Sequence, residues 1–426
     1  MVGVSDEGTG RAVGSGVAAG DVLELAVGDV AHGGWCVARP QGMVVFVRHA
    51  LPGERVRAVV TSATARFARA DAIEILQPAP GRVSPPCPYA GPGGCGGCDW
   101  QHASLPVQRE LKARVIADQL RRLADLDLPV TVEPLGVGSD GSDDAADSGG
   151  FGWRTRVRFA VGRDGTAGLY RHRSHDIVAV TDCLIAHPLV RQAGVTRQRW
   201  PGARWVDVAV APGTGQRAVL ASGDAQHAVL SSGGQPRFLT QRAVGRDWRV
   251  AAAGFWQVHP LAADTLAAAV LDGLAPRPGE RALDLYCGAG LFAGVLADAV
   301  GPGGAVTAVE QDAAAVRDAR HNLRQARWAR VHRGDAARVL ADIGTGDASV
   351  AVLDPPRCGA DRGLLALLCG AGLRRIAYVS CDPATLARDI AVAAGHGWRL
   401  DALRAFDAFP MTHHVECVAF LAPPAG

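Results

Sequence analysis

The residues ALDLYCGAGLFAGVLA (282–297) give the first indication of the fold class. A short apolar run ends near Asp284, a turn with glycines at Gly288 and Gly290 follows, and a second apolar run is suited to start a helix. Glycine in such a turn lets a ligand approach the backbone, although turns of this type serve many nucleotides. Strand-like and helix-like segments alternate from about Ala251 onward, which predicts a doubly wound α/β sheet.

Acidic residues follow successive predicted strands of this sheet. Glu310 stands twenty residues beyond Gly290, at the end of the second strand, where a carboxylate can bind ribose hydroxyls. Asp335 follows the third strand and suits an adenine edge, and Asp354 ends the fourth strand in LDPPR (353–357). A helix cap could explain any one of these acids, but their order favours a cofactor site. The Asp-Pro-Pro corner is not needed by nicotinamide dehydrogenases and suits S-adenosylmethionine methyltransferases.

Cys381 and Glu416 are the candidate reactive groups. IAYVSCDPATLARD (376–389) is an apolar strand that leaves the Cys381 thiol at the carboxyl edge of the sheet, where ligands bind in such folds. FDAFPMTHHVECVAFL (406–421) holds Glu416 between apolar neighbours, where a carboxylate is costly unless it is paired or used as a base. A packed core thiol and an exposed strand residue are the alternative interpretations of the two residues taken singly.

A second constellation consists of cysteines. Cys87, Cys95 and Cys98 lie in CPYAGPGGCGGC, and Cys183 lies far downstream in TDCLIAHP. Four thiolates suit either tetrahedral zinc or an iron–sulfur cluster. Zinc sites more often contain two close CxxC pairs, so iron–sulfur is the favoured prediction. Buried small hydrophobic residues are the alternative.

Composition excludes several classes of protein. The chain has 426 residues, of which 48% are hydrophobic and 20% are charged, so a large core is expected and global disorder is excluded. We find no apolar run long enough to span a membrane and no secretory signal, which predicts a cytoplasmic protein with reduced cysteines. The net charge is +2, and the cations are arginines except for Lys112. This balance neither supports nor excludes a nucleic-acid partner.

The chain divides into four predicted parts. Residues 1–18 are expected to be a disordered tail, and residues 19–80 read as a small antiparallel β unit with scattered arginines. Residues 81–250 form a central β-rich part with the four cysteines and a predicted disordered loop near 138–150. This part also contains an amphipathic helix (106–124) and the arginine-rich segments WRTRVRFAV (153–161) and GLYRHRSHDIVAV (168–180). Residues 251–426 form the α/β domain.

Several motifs of the chain, taken together, resemble those of a known family. GFWQVHP (254–260), DLYCGAG (284–290), LDPPR (353–357), SCDPATLARD (380–389) and HHVECV (413–418) are similar, in this order, to the motifs of RNA uracil-C5 methyltransferases. The β unit resembles a TRAM domain, an RNA-binding barrel. The four cysteines are similar to the [4Fe–4S] ligands of the ribosomal-RNA branch, although the first pair encloses seven residues where relatives commonly have five.

The resemblance implies a reaction and roles for named residues. The expected reaction transfers a methyl group from S-adenosylmethionine to C5 of a uridine, with Cys381 adding to C6 and Glu416 removing the C5 proton. The residues expected to line the cofactor and base pocket are Gln257, Tyr286, Glu310, Asp335 and Asp354. The expected partner is RNA, with ribosomal RNA preferred to transfer RNA, and the expected protein is a monomer that does not bind membranes.

Two other functions compete with this one. An amino-group methyltransferase acting on adenine or glutamine also uses a Pro-Pro corner, but it needs no nucleophilic cysteine. A non-enzymatic RNA-binding or redox-sensing protein with the same fold would be expected to have lost the catalytic pair. Cys381 and Glu416 are both present, which favours the uracil-C5 methyltransferase.

Overall fold

The computed structural model describes residues 17–135, 149–223 and 236–424. They form two compact units, with the boundary between Ser84 and Pro85. The predicted tail (1–18) and the predicted loop (138–150) lie outside the described residues, except for the last two positions of each. The division of the second unit at residue 250 stays a prediction.

The first unit is a sheet with its own apolar core. Within its described residues, six strands pair in the order β1-β5-β6-β4-β3-β2. They are β1 Val22–Ala26, β2 Val30–Ala31, β3 Trp35–Ala38, β4 Val44–Arg48, β5 Arg55–Ala63 and β6 Phe67–Gln77. Alternate side chains, such as Val45 and Val47, point into the core. The predicted β unit is confirmed, and its pairing is antiparallel except between β4 and β6.

The second unit contains the helices and the remaining strands. Its helices are α1 Leu105–Ala124, α2 Pro188–Arg191, α3 Ala262–Leu274, α4 Leu291–Val300, α5 Ala313–Asn322, α6 Ala336–Ile343, α7 Arg362–Cys369 and α8 Pro383–Gly395. Its strands are β7 Val132–Pro134, β8 Arg156–Val161, β9 Ala167–Tyr170, β10 Ile177–Val178, β11 Ala203–Ala211, β12 Gln216–Gly223, β13 Phe238–Ala243, β14 Arg246–Ala251, β15 Arg281–Leu285, β16 Ala305–Glu310, β17 Ala329–Arg333, β18 Val350–Leu353, β19 Arg375–Ser380, β20 Arg399–Asp407 and β21 Glu416–Ala422. The predicted helix over 106–124 is confirmed as α1.

The large sheet of this unit has the strand order β17-β16-β15-β18-β19-β21-β20-β7. The strands from β17 to β19 are parallel, and the chain reverses its direction of progress between β15 and β18. Ligands bind at the carboxyl ends of the strands at such a reversal point. The predicted doubly wound sheet is confirmed.

Burial of the sheet on both faces explains its apolar strands. Ala282, Val350 and Val352 pack with α3 and α4 on one face, whereas Leu283 and Leu285 pack on the other face with α7 and α8. Successive side chains of a strand point to opposite faces, so a strand covered by helices on both sides must be apolar throughout. This is why the region reads as continuous apolar runs.

The last strands differ from the parallel pattern. β21 lies between β19 and β20 and pairs antiparallel with both. A short loop is enough to join β20 to β21, because consecutive antiparallel strands need no helical crossover. β7 extends the sheet beside β20, and Ile116 and Leu120 of α1 belong to the same core. Residues from the central part of the sequence therefore complete the α/β domain.

The rest of the second unit is β-rich. In the described residues, β10-β9-β8-β11-β12 form an antiparallel sheet, and β13 and β14 form a hairpin. Val206 and Val208 of β11 lie in the core of the antiparallel sheet. None of the helices in the described ranges has the length and apolar character that crossing a membrane requires.

Candidate active site

A cavity of about 1310 Å³ opens at the carboxyl edge of the large sheet. It brings together most of the residues that the sequence analysis selected. The selected residues that line it are Gln257, Tyr286, Glu310, Asp354, Cys381, Glu416, Cys87, Cys95, Cys98 and Cys183. Parallel strands end at one edge of a sheet, so motifs that are distant in sequence meet there.

The glycine turn after β15 forms one end of the cavity. The backbone N–H of Gly288 donates to Glu310 Oε2 (2.9 Å), and the N–H of Asp312 donates to Glu310 Oε1 (2.7 Å). Gly288 has φ +54°, and a Cβ added there would meet no atom within 4 Å. The turn therefore leaves open space beside the Glu310 carboxylate, which suits a bound ligand.

Buried carboxylates give this end an acidic character. Asp284 accepts a hydrogen bond from the Ala293 N–H (2.6 Å), and its Oδ1 has no partner among the described residues. Burial raises the pKa of Asp284 to about 8, with a further contribution from Asp354 and Glu310, and burial raises the pKa of Asp354 to about 7. Carboxylates held this way favour a cationic ligand, which would restore their charge.

Asp335 is the selected residue that this cavity does not include. Its carboxylate accepts a hydrogen bond from the Arg338 N–H (3.1 Å) and caps the first turn of α6. The helix-cap interpretation, which the sequence left open for each acid, describes its observed contact.

Tyr286 stands directly after β15 in an unusual backbone conformation. Its φ is +66°, a region that costs energy for a residue with a side chain. Burial raises the pKa of the Tyr286 hydroxyl to about 12, so the side chain is neutral at physiological pH. The strained turn keeps this residue on the wall of the cavity.

Cys381 lies between β19, which ends at Ser380, and α8, which begins at Pro383. Burial raises the pKa of its thiol to about 11, and the nearby Glu416 carboxyl raises it further. The Arg357 guanidinium acts in the opposite direction, through its charge and a hydrogen bond to the thiol. Cys381 is therefore neutral at rest, and Arg357 is the neighbour that favours its thiolate.

Glu416 is buried at the start of β21, where it faces the same cavity. Burial raises its pKa well above the ordinary value, Asp354 raises it further, and Arg357 lowers it. A buried carboxyl of this kind is a stronger base than an exposed one once it has lost its proton. The site thus holds a thiol and a carboxyl under the influence of one guanidinium.

Helix α8 holds the turn that carries Arg357. Thr385 Oγ1 donates to the Arg357 carbonyl (2.9 Å), and Arg388 Nη2 donates to the Cys358 carbonyl (2.7 Å). Gly359 has φ +87°, and a Cβ there would lie 2.5 Å from Asp389 Oδ2. The motif SCDPATLARD therefore supplies Cys381 together with the side chains that fix the Asp-Pro-Pro turn beside it.

The loop before Glu416 is held from the other side. His414 Nε2 lies 3.4 Å from Arg357 Nη2, and its ring centroid lies 4.1 Å from that of His413. His413 Nδ1 is 2.6 Å from Asp99 Oδ2, directly after the cysteine loop. Burial lowers the pKa of His414 to about 3, with His413 and Arg357 contributing, so its imidazole is neutral.

The four cysteines lie at another part of the cavity wall. Burial raises the pKa of Cys98, and the thiols of Cys183, Cys95 and Cys87 raise it further, so the four groups are within electrostatic reach of one another. In the described residues, however, no three His, Cys, Asp or Glu side chains are arranged to hold a metal ion. The donor set suits a metal centre, but the geometry does not confirm one.

Sequence reasoning missed Arg357 and His414. Arg357 lies in the LDPPR motif, from which the sequence analysis selects only Asp354, and His414 stands two residues before Glu416. The available signal for Arg357 was its position directly after the Asp-Pro-Pro corner, which was expected at the same edge of the sheet as the Cys381 thiol. The sequence contained no comparable signal for His414, whose role depends on the fold of the loop.

Comparison with known proteins identifies the family of this chain. A family model described as tRNA (Uracil-5-)-methyltransferase matches residues 268–423, and a TRAM domain model matches residues 17–73. An uncharacterized RNA methyltransferase of Streptomyces avermitilis is 49% identical, over 95% of this chain and 99% of that protein. One of Bifidobacterium longum is 35% identical, over 93% of this chain and 95% of that protein.

A solved structure shares the fold. The crystal structure of Pyrococcus abyssi tRNA (uracil-54, C5)-methyltransferase in complex with S-adenosyl-L-homocysteine has a TM-score of 0.69 and 20% sequence identity, over 94% of this chain and 100% of that chain. This match supports the class I methyltransferase fold of the second unit. From the sequence matches, this chain belongs to the family of RNA (uracil-5-)-methyltransferases that carry an N-terminal TRAM domain.

Proposed function

We propose that this protein transfers a methyl group from S-adenosylmethionine to C5 of a uridine in RNA, with Cys381 as the nucleophile and Glu416 as the base. The observation that carries the proposal is that both residues line one cavity with the acidic cofactor end. An adenine or glutamine methyltransferase would have no use for a thiol beside the Asp-Pro-Pro turn.

The cofactor end fits a cationic nucleoside. Glu310 is held by the Gly288 and Asp312 N–H groups at the end of β16, where an acid can bind ribose hydroxyls. The Asp354 carboxyl lines the cavity, and Asp284 lies behind the wall within electrostatic reach of Asp354 and Glu310, so this end favours a ligand that carries positive charge. Gln257 and Tyr286 are assigned to the same pocket. Asp335 does not line the cavity but lies within electrostatic reach of Tyr286, so its assignment depends on this proximity and on the family motif.

Cys381 activates the uracil. S-adenosylmethionine supplies an electrophilic methyl group when bound, but C5 of uracil is too weak a nucleophile to accept it directly. The Cys381 sulfur forms a bond to C6, and the electron pair of the C5–C6 double bond moves toward C5 and the C4 carbonyl oxygen. The enolate-like C5 would then form a bond to the methyl carbon while the methyl–sulfur bond breaks, and S-adenosylhomocysteine would be the leaving group. Arg357 supports this step because its charge favours the thiolate.

Glu416 completes the reaction. Its carboxylate removes the proton from the methylated C5, the C–H electron pair re-forms the C5–C6 double bond, and the Cys381 thiolate leaves C6. Burial raises the pKa of Glu416, which makes its carboxylate a stronger base for this proton. The target uridine must leave its stack to reach both groups.

We also propose that Cys87, Cys95, Cys98 and Cys183 hold a [4Fe–4S] cluster. The four thiols line one part of the cavity wall, and an all-thiol donor set suits such a cluster. Anaerobically purified protein should contain iron and sulfide and show the broad visible absorbance of an iron–sulfur centre. Stoichiometric zinc without iron would contradict the proposal.

The RNA substrate is proposed by analogy. The TRAM domain and the cysteines favour 23S ribosomal RNA. Transfer RNA is the second candidate, because the matching family model and the Pyrococcus abyssi enzyme are both described by transfer-RNA activity. A monomeric state and a cytoplasmic location stay predictions.

Methyl transfer to unmodified RNA tests the function. Wild-type protein with labelled S-adenosylmethionine should produce 5-methyluridine, identified by nucleoside mass spectrometry, and fractionation of the RNA should name the substrate. Cys381→Ala should give no product and should not be trapped by RNA that contains 5-fluorouridine. A methylated adenine that survives this substitution would overturn the proposal.

Glu416→Gln separates the two catalytic roles. Without the base, the methylated C5 keeps its proton and Cys381 cannot leave, so a covalent protein–RNA adduct should accumulate on ordinary RNA. The adduct should be absent from the double variant Cys381→Ala/Glu416→Gln. Normal turnover by Glu416→Gln would show that another group removes the proton.

A further inference from the structure

Apart from Arg357, which lies beside Cys381 and Glu416, the charged residues of the cavity wall fall into two groups. Arginines from the central part of the chain line one region, namely Arg154, Arg158, Arg171 and Arg173. The acids of the α/β domain line the other, namely Glu310, Asp312, Asp354 and Glu416. Asp182 also lies on the basic side, but its carboxylate is paired with Arg191. The acidic region suits the cationic methyl donor, and the basic region suits a polyanion.

Two of these arginines lie on a defined hairpin. Residues 170–176, here called the arginine hairpin, comprise the last residue of β9 and the turn that leads to β10, and the Arg171 N–H donates to the Asp176 carbonyl (2.9 Å) across it. Arg173 is exposed at the tip with φ +51°. The Arg171 side chain lies 3.7 Å from Asp176, but both are at least half exposed, and such pairs are weak. A phosphate can therefore compete for Arg171.

The cysteine loop fixes the position of this hairpin. The Gly96 N–H donates to the Tyr170 carbonyl (2.9 Å), and Cys95 and Arg171 form a β-bridge. A Cβ on Gly96 would lie 2.7 Å from the Cα of His172, so only glycine permits this approach. The backbone of the hairpin is thus packed on the loop that contains the candidate cluster ligands.

The hairpin also presents an aromatic ring. Tyr170 lines the cavity and is 50% exposed, and its ring meets that of His175 edge to face (6.0 Å between centroids). Exposed aromatic rings next to cationic side chains bind single-stranded nucleic acid, because an unpaired base can stack on the ring while the backbone lies against the cations. Bases in a duplex have no free face to offer.

We propose that the arginine hairpin binds single-stranded RNA beside the target uridine, with Tyr170 stacking on an unpaired base and Arg171 and Arg173 contacting phosphates. The proposal rests on the proposed function and adds the strand state of the substrate and the segment that recognises it. It also gives the cysteine loop a role, since that loop holds the hairpin at the cavity.

Binding of fluorescein-labelled RNA to the full-length protein tests the proposal. The probes are an unstructured uridine-containing oligonucleotide and the same strand in a duplex, each measured by anisotropy over a series of salt concentrations. Arg171→Ala/Arg173→Ala should lower the slope of log Kd against log salt by about 1.4 for the single strand, about 0.7 for each lost phosphate contact. Arg330→Ala/Arg333→Ala, two exposed arginines of β17 that do not line the cavity, is the matched control and should leave the slope unchanged.

Tyr170→Ala gives an independent result. Loss of one stacked base should weaken single-strand binding by roughly tenfold without changing the salt slope, and it should not affect the duplex. An unchanged slope for the arginine double variant, an equal effect in the control, or equal weakening of duplex binding by Tyr170→Ala would each overturn the proposal.

Methyl-transfer assays separate this proposal from the proposed function. If wild-type protein forms no 5-methyluridine, the proposed function is wrong. The binding measurements still test whether the arginine hairpin binds single-stranded RNA. If wild-type protein methylates RNA, the KM for RNA should rise in Arg171→Ala/Arg173→Ala. An unchanged KM would then overturn the role of the hairpin alone.

Discussion

At the scale of single residues, burial and nearby charges determine the protonation states of the two candidate reactive groups. Burial raises the pKa of Cys381 to about 11 and that of Glu416 well above its ordinary value, so the resting site favours neutral forms of both groups. Arg357 opposes both shifts. The thiolate is the nucleophile, and its fraction falls tenfold for each unit of pH below the pKa.

Arg357→Met should therefore slow the reaction most at low pH. Loss of the cation should raise the Cys381 pKa by about one unit, so the rising limb of the pH–rate profile should move to higher pH and the rate below it should fall roughly tenfold. Arg357→Lys should restore part of the effect. Single-turnover rates over a pH series provide the measurement, and an unshifted limb would contradict the role of Arg357.

Asp284 should make stability depend on pH. Its folded pKa is about 8, above the ordinary value, so between about pH 4 and pH 8 the folded state keeps a proton that the unfolded state releases. The free energy of unfolding of the ligand-free protein should fall as pH rises through this window. Each kcal/mol lost lowers Tm by roughly 2–4 °C.

Asp284→Asn should reduce this dependence, because the amide does not titrate and can still accept from the Ala293 N–H, while Asp354 keeps its own smaller contribution. Thermal unfolding from pH 5 to pH 9 is the measurement. Asp298→Asn, which removes an exposed carboxylate, is the control and should follow the wild type. Equal slopes in all three proteins would show that Asp284 does not carry the effect.

At the scale of elements, α1 holds the loop that leads to Glu416. Lys112, the chain's one lysine, is fully buried and pairs with Asp407, and its Nζ donates to the Phe409 carbonyl (3.0 Å). Gln108 Oε1 accepts from the Met411 N–H (2.8 Å). A helix from the central part of the sequence thus fixes the backbone between β20 and β21.

Lys112→Met should destabilise the protein by about 3–5 kcal/mol, because Asp407 is left buried without its cation. The double variant Lys112→Met/Asp407→Leu should recover most of this loss. Urea denaturation measures both. Arg121→Met, on the exposed face of α1, should change stability by no more than about 0.5 kcal/mol. A double variant as unstable as the single one would mean that the loop itself had been disrupted.

At the scale of the whole molecule, the chain has two compact units with separate cores. Calorimetry should show two unfolding transitions. S-adenosylmethionine at a hundred times its Kd should stabilise only the second unit, by about 2.7 kcal/mol. Val56→Ala, in the core of the first unit, should lower only the other transition, by about 2 kcal/mol. A single transition that both changes shift would contradict independent unfolding.

Much of this arrangement was accessible without a structure. The apolar runs predicted a doubly wound sheet, and strand ends placed Asp354 and Cys381 at one edge. The glycine turn and Glu310 were placed beside them for the same reason, whereas Glu416 was assigned to the same site by the resemblance to the family motifs. These predictions succeed for two reasons. The alternation of side chains along a strand is visible in the local sequence, and the carboxyl ends of neighbouring parallel strands lie at one edge of the sheet.

The sequence by itself therefore determined the fold class, the family and the edge of the sheet where the reactive groups meet. Only the tertiary structure assigned Asp335 to a helix cap, placed Arg357 and His414 beside Cys381 and Glu416, and packed the arginine hairpin on the cysteine loop. The reason is physical. Burial and the charges near a group depend on residues that are distant in the sequence. The contact of Asp99 with His413, for example, joins parts of the chain more than 300 residues apart, and no local pattern encodes it.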